Sequence, residues 1–131
     1  ELYTTWEKMQ MKSMLRRLVV DYIKDGVMPI TLWSDRGSWQ VTVDAKIDTG
    51  ADRSSLDILL INALGYHHTG DRIRVRNANG VEHRDLFNVA IDVEGFPHEV
   101  IATGADRGSM KYPMIIGRKD FLDICEIEEE E

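Results

Sequence analysis

The chain has 131 residues, of which 43% are apolar and 30% charged, a balance that belongs to folded domains and excludes wholesale disorder. Its length accommodates one domain with a real core but not two ordinary ones. With 16 Lys and Arg against 23 Asp and Glu the formal net charge is −7, so a general nucleic-acid surface is not expected, and only local basic patches remain open.

Residues 5–24 place Trp6, Met9, Met14, Leu18 and Tyr22 or Ile23 near helical spacing, with Glu7, Lys8, Lys12, Arg16 and Arg17 between them. This pattern predicts an amphipathic helix, ended by Gly26 and Pro29, and makes residues 1–27 a helical extension. From residue 28 the period changes to two. Ile30 and Leu32 alternate with Thr31 and Trp33, Ser34 to Ser38 supply a turn, and Trp39, Val41, Val43, Ala45 and Ile47 share one face. A hairpin with one buried face is expected there, running into Asp48.

Ser54 to Leu64 is apolar enough for a buried strand and a short helix closed by Gly65. Ile73 and Val75 alternate with Arg72, Arg74 and Arg76, which predicts a strand with a solvated basic face. Asn79-Gly80 signals a hairpin whose tight turn requires positive φ at both central residues. Phe87, Val89, Ile91 and Val93 predict another strand, Gly95-Phe96-Pro97 the next turn, Val100 to Ala102 a strand, and Gly104 to Tyr112 an irregular loop. Met114-Ile115-Ile116 reads as a strand buried on both faces, and Arg118 to Leu122 as a short helix. The expected fold class is mainly β, a small closed or folded-over sheet spanning 28–125, followed by an acidic tail at 126–131.

A single cysteine, Cys125, excludes an internal disulfide and fits a reducing compartment. No apolar run nears the ~20 residues that cross a bilayer, and no leader-like segment is visible, so neither membrane partner nor signal peptide is expected. Because the chain begins at Glu1 rather than Met, a trimmed chain or a segment of a longer polypeptide is expected.

Chemistry centres on Asp48-Thr49-Gly50-Ala51, where a half-buried strand meets a tight turn. The strand fixes a carboxylate there, and the glycine admits close approach of backbone or substrate. An Asp before Gly is also the ordinary opening of an Asx turn, so the triplet alone is weak. His67-His68 point to opposite faces of an extended chain and are expected as solvated loop residues, not metal ligands.

Together, Asp48-Thr49-Gly50-Ala51-Asp52 and Ile115-Ile116-Gly117-Arg118 resemble the two hallmarks of the retropepsins, the homodimeric aspartic proteases of retroviruses and their cellular and bacterial relatives. Pro29-Ile30-Thr31-Leu32-Trp33 also resembles the first strand of retroviral proteases, and the Asn79-Gly80 hairpin falls where that family has its flap. A narrower resemblance links Ala105 to Arg118 to a bacterial retropepsin-like group labelled ATP-dependent zinc proteases. The residues carry no support for that label. There is no phosphate loop ending in Gly-Lys-Ser/Thr, and His98-Glu99 is followed at position 102 by Ala where a zinc-protease helix needs His. No cofactor or metal is expected.

The resemblance implies a closed acid-protease barrel and a peptide or protein substrate. It further implies a homodimer in which two Asp48 carboxyls share one proton and activate a water, with Thr49 and Gly50 shaping the turn. Ala51, Asp52, Asn79 and Gly80 are expected to touch substrate. Gly117 and Arg118 are expected as structural support, with Arg118 paired to Asp52. If buried, breaking that pair costs about 3–5 kcal/mol. Asp106, Arg107 and Lys111 of the narrower signature are expected near the cleft without assigned roles. A cytoplasmic or virion- or phage-associated setting is expected. The tail from Glu126 departs from the apolar terminal strand of retroviral members, which raises a competing expectation: a retropepsin-fold binding or assembly module that does not cleave.

Overall fold

The computed structural model describes residues 26–126 and, ahead of them, residues 4–7 and 10. Thr4 Oγ1 accepts the Glu7 N–H at 3.1 Å and Glu7 Oε1 accepts the Thr4 N–H at 3.0 Å, a reciprocal capping box that starts a helix at Thr5. The rest of the expected N-terminal helix lies outside the described residues, as does the tail beyond Glu126.

Seven strands and two helices follow: β1 (Val27–Trp33), β2 (Gln40–Asp48), β3 (Ser54–Asp57), α1 (Ile58–Leu64), β4 (His68–Asn77), β5 (Gly80–Val93), β6 (Phe96–Ala105), β7 (Met114–Gly117) and α2 (Arg118–Glu126). The strands run in the order β1-β2-β7-β3-β6-β5-β4, and an additional β1–β5 pairing joins Thr31–Trp33 to Ala90–Asp92. Six strands therefore close on themselves, and β4 hangs outside the ring on β5. The alternation read from sequence becomes the barrel interior. Met28, Ile30 and Leu32 of β1, Ala45 of β2, Leu56 of β3, Val89 and Ile91 of β5, and Met114 and Ile116 of β7 are almost wholly buried. Closure has its own clamp: the Tyr66 hydroxyl donates to the Trp33 carbonyl at 2.5 Å and lies 3.2 Å from that of Ala90, the pair where β1 meets β5. Burial, then the nearby Asp35, pushes the Tyr66 pKa upward, so this clamp keeps its proton.

Three local expectations are corrected. Gly95-Phe96-Pro97 is not the turn: Glu94 and Gly95 make it, with φ of 52° and 85°, while Phe96 and Pro97 already pair with Val93 and Asp92. At the other hairpin Asn77 pairs with Gly80, so Ala78 and Asn79 occupy the turn, and neither has positive φ. Gly80 carries it instead, at 120°, as in loops that end on a glycine bulge. Finally, β5 does not begin at Phe87 but runs from Gly80, and only from Leu86 onward does it pair with β6. Residues 72–85 thus form a two-stranded ribbon projecting from the barrel.

His98 lies in β6, not in a helix, and its Nε2 is buried with no hydrogen-bond partner among the described residues. Burial lowers its pKa below the ordinary histidine value, against the opposing pull of Asp92 and Asp123. A histidine held neutral in the fold contributes stability above its unfolded pKa, and that stability is lost as pH falls through about 6.5 toward the lower folded value. Thermal melts are therefore expected to decline more steeply below about pH 6.5 for the native chain than for His98→Phe. Parallel curves would exclude the effect.

Candidate active site

The Asp48 turn lies where β2 ends beside β7, whose parallel register sets Asp48 against Gly117. Asp48 Oδ1 accepts the Gly50 N–H at 3.1 Å, and its carbonyl accepts the Ala51 N–H at 3.1 Å. The first of these is the Asx-turn bond that any Asp before Gly can make, so the surroundings must identify the role. Thr49 is exposed, with no side-chain hydrogen bond among the described residues.

The helix after the second hallmark braces this turn through its backbone. Arg118 N–H donates to the Ala51 carbonyl at 2.7 Å and Lys119 N–H to the Asp52 carbonyl at 3.5 Å, so the otherwise orphaned donors at the start of α2 are used to hold residues 51–52. Behind them the Ser54 hydroxyl accepts the Gly117 N–H at 3.0 Å and donates to Asp120 Oδ2 at 2.5 Å, with Ser54 fully buried. Burial raises the Asp120 pKa, opposed in part by the hydrogen bond from Ser54. This relay was missed in the sequence because Ser54 and Asp120 are ordinary residues whose meeting depends on β3 lying beside β7.

Arg118 meets Asp52, Nη2 to Oδ1 at 2.7 Å, and the condition for a large energy is not met: the two side chains are 53% and 71% exposed. Water screens such a pair to roughly 0–1 kcal/mol. Asp52→Asn is accordingly expected to shift the melting midpoint by less than about 6 °C. A larger drop would mean that this contact is shielded from solvent in the assembled protein.

Gly50, Ala51 and Asp52 open onto a cavity of about 530 Å³ between the turn and the ribbon, lined on the far side by Ile73 to Arg76 and Arg84. Ser55, Thr103 and Ile115 also face it, together with Arg53 and Arg107. Neither Asn79 nor Gly80 lines this cleft in a single chain; both lie at the ribbon's tip. Arg72 pairs with Asp85 at 3.0 Å, whereas Arg74 and Arg76 belong to the cleft, so the solvated basic face read from sequence is partly a cleft wall. Of the narrower signature, Arg107 lines the cleft, with Asp57 Oδ1 accepting its N–H at 3.0 Å, and Lys111 lies 5.4 Å over the Tyr112 ring. His67 bonds Asp35 at 3.0 Å and His68 bonds Asp85 at 3.1 Å, so the adjacent histidines serve two different carboxylates. Among the described residues no group of three His, Cys, Asp or Glu converges as a metal set would.

No protein-family model matches this sequence, and no curated protein matches it. Solved structures do. The EIAV protease complexed with the inhibitor HBY-793 superposes with a TM-score of 0.54 at 21% identity, covering 75% of this chain and 86% of that one. The simian foamy virus (mac) protease gives 0.52 at 13% identity over 72% and 89%. A Legionella pneumophila protein of unknown function gives 0.51 at 20% identity over 75% and 84%. Identities this low establish the fold alone, and the fold is retropepsin-like.

Proposed function

We propose that this retropepsin-like chain is an aspartic endopeptidase whose active unit is a homodimer. The observation that supports it is the placement of Asp48, on a turn braced by backbone bonds to α2, next to a cleft of about 530 Å³ roofed by a projecting ribbon. One chain supplies one such aspartate, so the chemistry requires a second copy. The exposed Thr49 hydroxyl is free to bond backbone across a two-fold axis, and the ribbon tips at Asn79-Gly80 would close over the axis rather than over one chain's cleft.

With two Asp48 carboxyls at close range, both cannot ionise readily and one proton is shared. The ionised carboxylate takes a proton from water as the water oxygen bonds to the scissile carbonyl carbon. The protonated partner donates a hydrogen bond to the carbonyl oxygen and stabilises the charge developing there. Collapse of the tetrahedral intermediate breaks the C–N bond, and the proton leaves with the amine. Neither metal nor nucleotide enters this scheme.

Sedimentation velocity across nanomolar to micromolar concentration, run alongside peptide hydrolysis, tests the proposal. Activity per chain is expected to rise with the dimer fraction. A chain that stays monomeric while cleaving, or dimerises and never cleaves, would refute it, the second outcome favouring a binding or assembly role.

A further inference from the structure

The cleft is strongly basic although the chain as a whole is acidic. Its lining carries Arg53, Arg74, Arg76, Arg84 and Arg107 against one acid, Asp52, which already holds Arg118. Two of these arginines are drawn inward. Arg84 stands opposite Ile73 in the β4–β5 register, and 26% of its side chain is exposed; its Nε and Nη2 are both held by Glu82 Oε1, at 2.5 Å. Arg107 donates from Nε to the Tyr112 carbonyl at 3.0 Å, which fixes the guanidinium and leaves its terminal N–H groups without an acceptor among the described residues. Burial and then the charge of Arg84 lower the Arg107 pKa, against the pull of Asp57, so the two cations press on each other in a half-enclosed space. On the cleft floor, Ser55 is 6% exposed and its hydroxyl has no hydrogen-bond partner among the described residues. The open terminal donors of Arg107 beside an unpartnered buried hydroxyl, in a lining with five arginines and one acid, make a site short of an anion.

We infer that this cleft selects substrates by an acidic side chain, a Glu or Asp whose carboxylate is held by the terminal N–H groups of Arg107, beside the charge of Arg84, and accepts a hydrogen bond from the Ser55 hydroxyl. The substrate being a peptide rests on the protease reading above. A nucleic-acid phosphate fits less well, because no aromatic ring among the described residues lines the cleft to stack a base. A planar guanidinium with its terminal donors open is suited to a carboxylate, and replacing such an acid by its amide weakens recognition by about 10- to 100-fold.

Peptide pairs differing only by Glu or Gln at each position flanking the scissile bond test this, at about pH 6 where glutamate is ionised. At one position kcat/KM is expected to favour Glu by about 10- to 100-fold, with the ratio shrinking as salt rises. Arg107→Gln is expected to draw that ratio toward one, whereas Arg72→Gln, bonded to Asp85 outside the cleft, is expected to leave it standing. Peptides cleaved with no Glu preference at any position, or a ratio indifferent to Arg107→Gln, overturn the inference and leave the protease reading intact. If no peptide is cleaved, that reading fails, and calorimetric binding of the same pairs decides the inference by itself. At least tenfold tighter binding of a Glu peptide sustains it. Equal binding, or tighter binding of a single-stranded oligonucleotide, overturns it.

Discussion

Asp48→Asn is expected to lower kcat for peptide hydrolysis by about 10²- to 10⁴-fold, the range that a positioned acid–base group supplies. The substitution isolates chemistry from folding. Asparagine retains an Oδ1 acceptor for the Gly50 N–H and is as suited to an Asx turn as aspartate, so the melting midpoint is expected to stay close to that of the native chain. The dimer adds a second signature. Mixing native chain with excess variant converts native pairs into mixed pairs holding one carboxylate, so activity is expected to fall faster than the native fraction. A rate that survives the substitution within threefold would remove Asp48 from the mechanism, and a rate that falls only in proportion to dilution would refute the shared dyad.

Gly117→Ala carries the largest stability effect anticipated. A Cβ at this position would lie 2.3 Å from the Arg53 carbonyl carbon, 2.5 Å from its oxygen and 2.8 Å from its Cα. These are backbone atoms, which cannot rotate aside. Relief requires β7 to part from the segment entering β3, and that movement breaks the bond from Gly117 N–H to Ser54 Oγ as well. Overpacking against rigid backbone is expected to cost about 3 kcal/mol or more, lowering the midpoint by roughly 10–20 °C for a domain of this size. Activity is expected to fall with it, because the same displacement moves Asp48's neighbour in the β2–β7 register. Gly108→Ala makes the control: its Cβ would meet nothing nearer than Asp106 Oδ1 at 3.6 Å, an ordinary contact, and the change is expected to stay within about 0.5 kcal/mol. Equal melts for the two variants would refute the close-approach argument.

Legibility in the sequence followed what each segment covers. Strands that face the barrel interior, such as β1 with Met28, Ile30 and Leu32, announce themselves because burial on one side imposes a period of two. The first half of β5 does not. Gly80 to Asp85 lie in the projecting ribbon with no core beneath them, so nothing forces apolar residues into alternate positions, and periodicity begins only near Phe87. Pro97 misled for a related reason: proline lacks the N–H that a ladder uses, yet here it sits one step from a turn in a strand that tolerates it. The Asp48 turn and the Gly117 approach were visible as motifs. The basic cleft was not, because it is assembled from Arg53, the β4–β5 ribbon and Arg107, segments whose proximity only the strand order creates. The exposure of the Asp52–Arg118 pair was equally beyond reach, since two charges that meet say nothing about the water around them.

Among the described residues, closing six strands into a ring leaves the ribbon as the longest open edge, since β4 is paired on one side only. An open edge is a template on which a second copy can add by strand pairing, the first step toward insoluble aggregates. On β4 that edge bears Arg72, Arg74 and Arg76 on one face, all exposed. Two such strands brought together antiparallel would set guanidinium against guanidinium along their length. The arginine row therefore works against that pairing while leaving the ribbon uncovered.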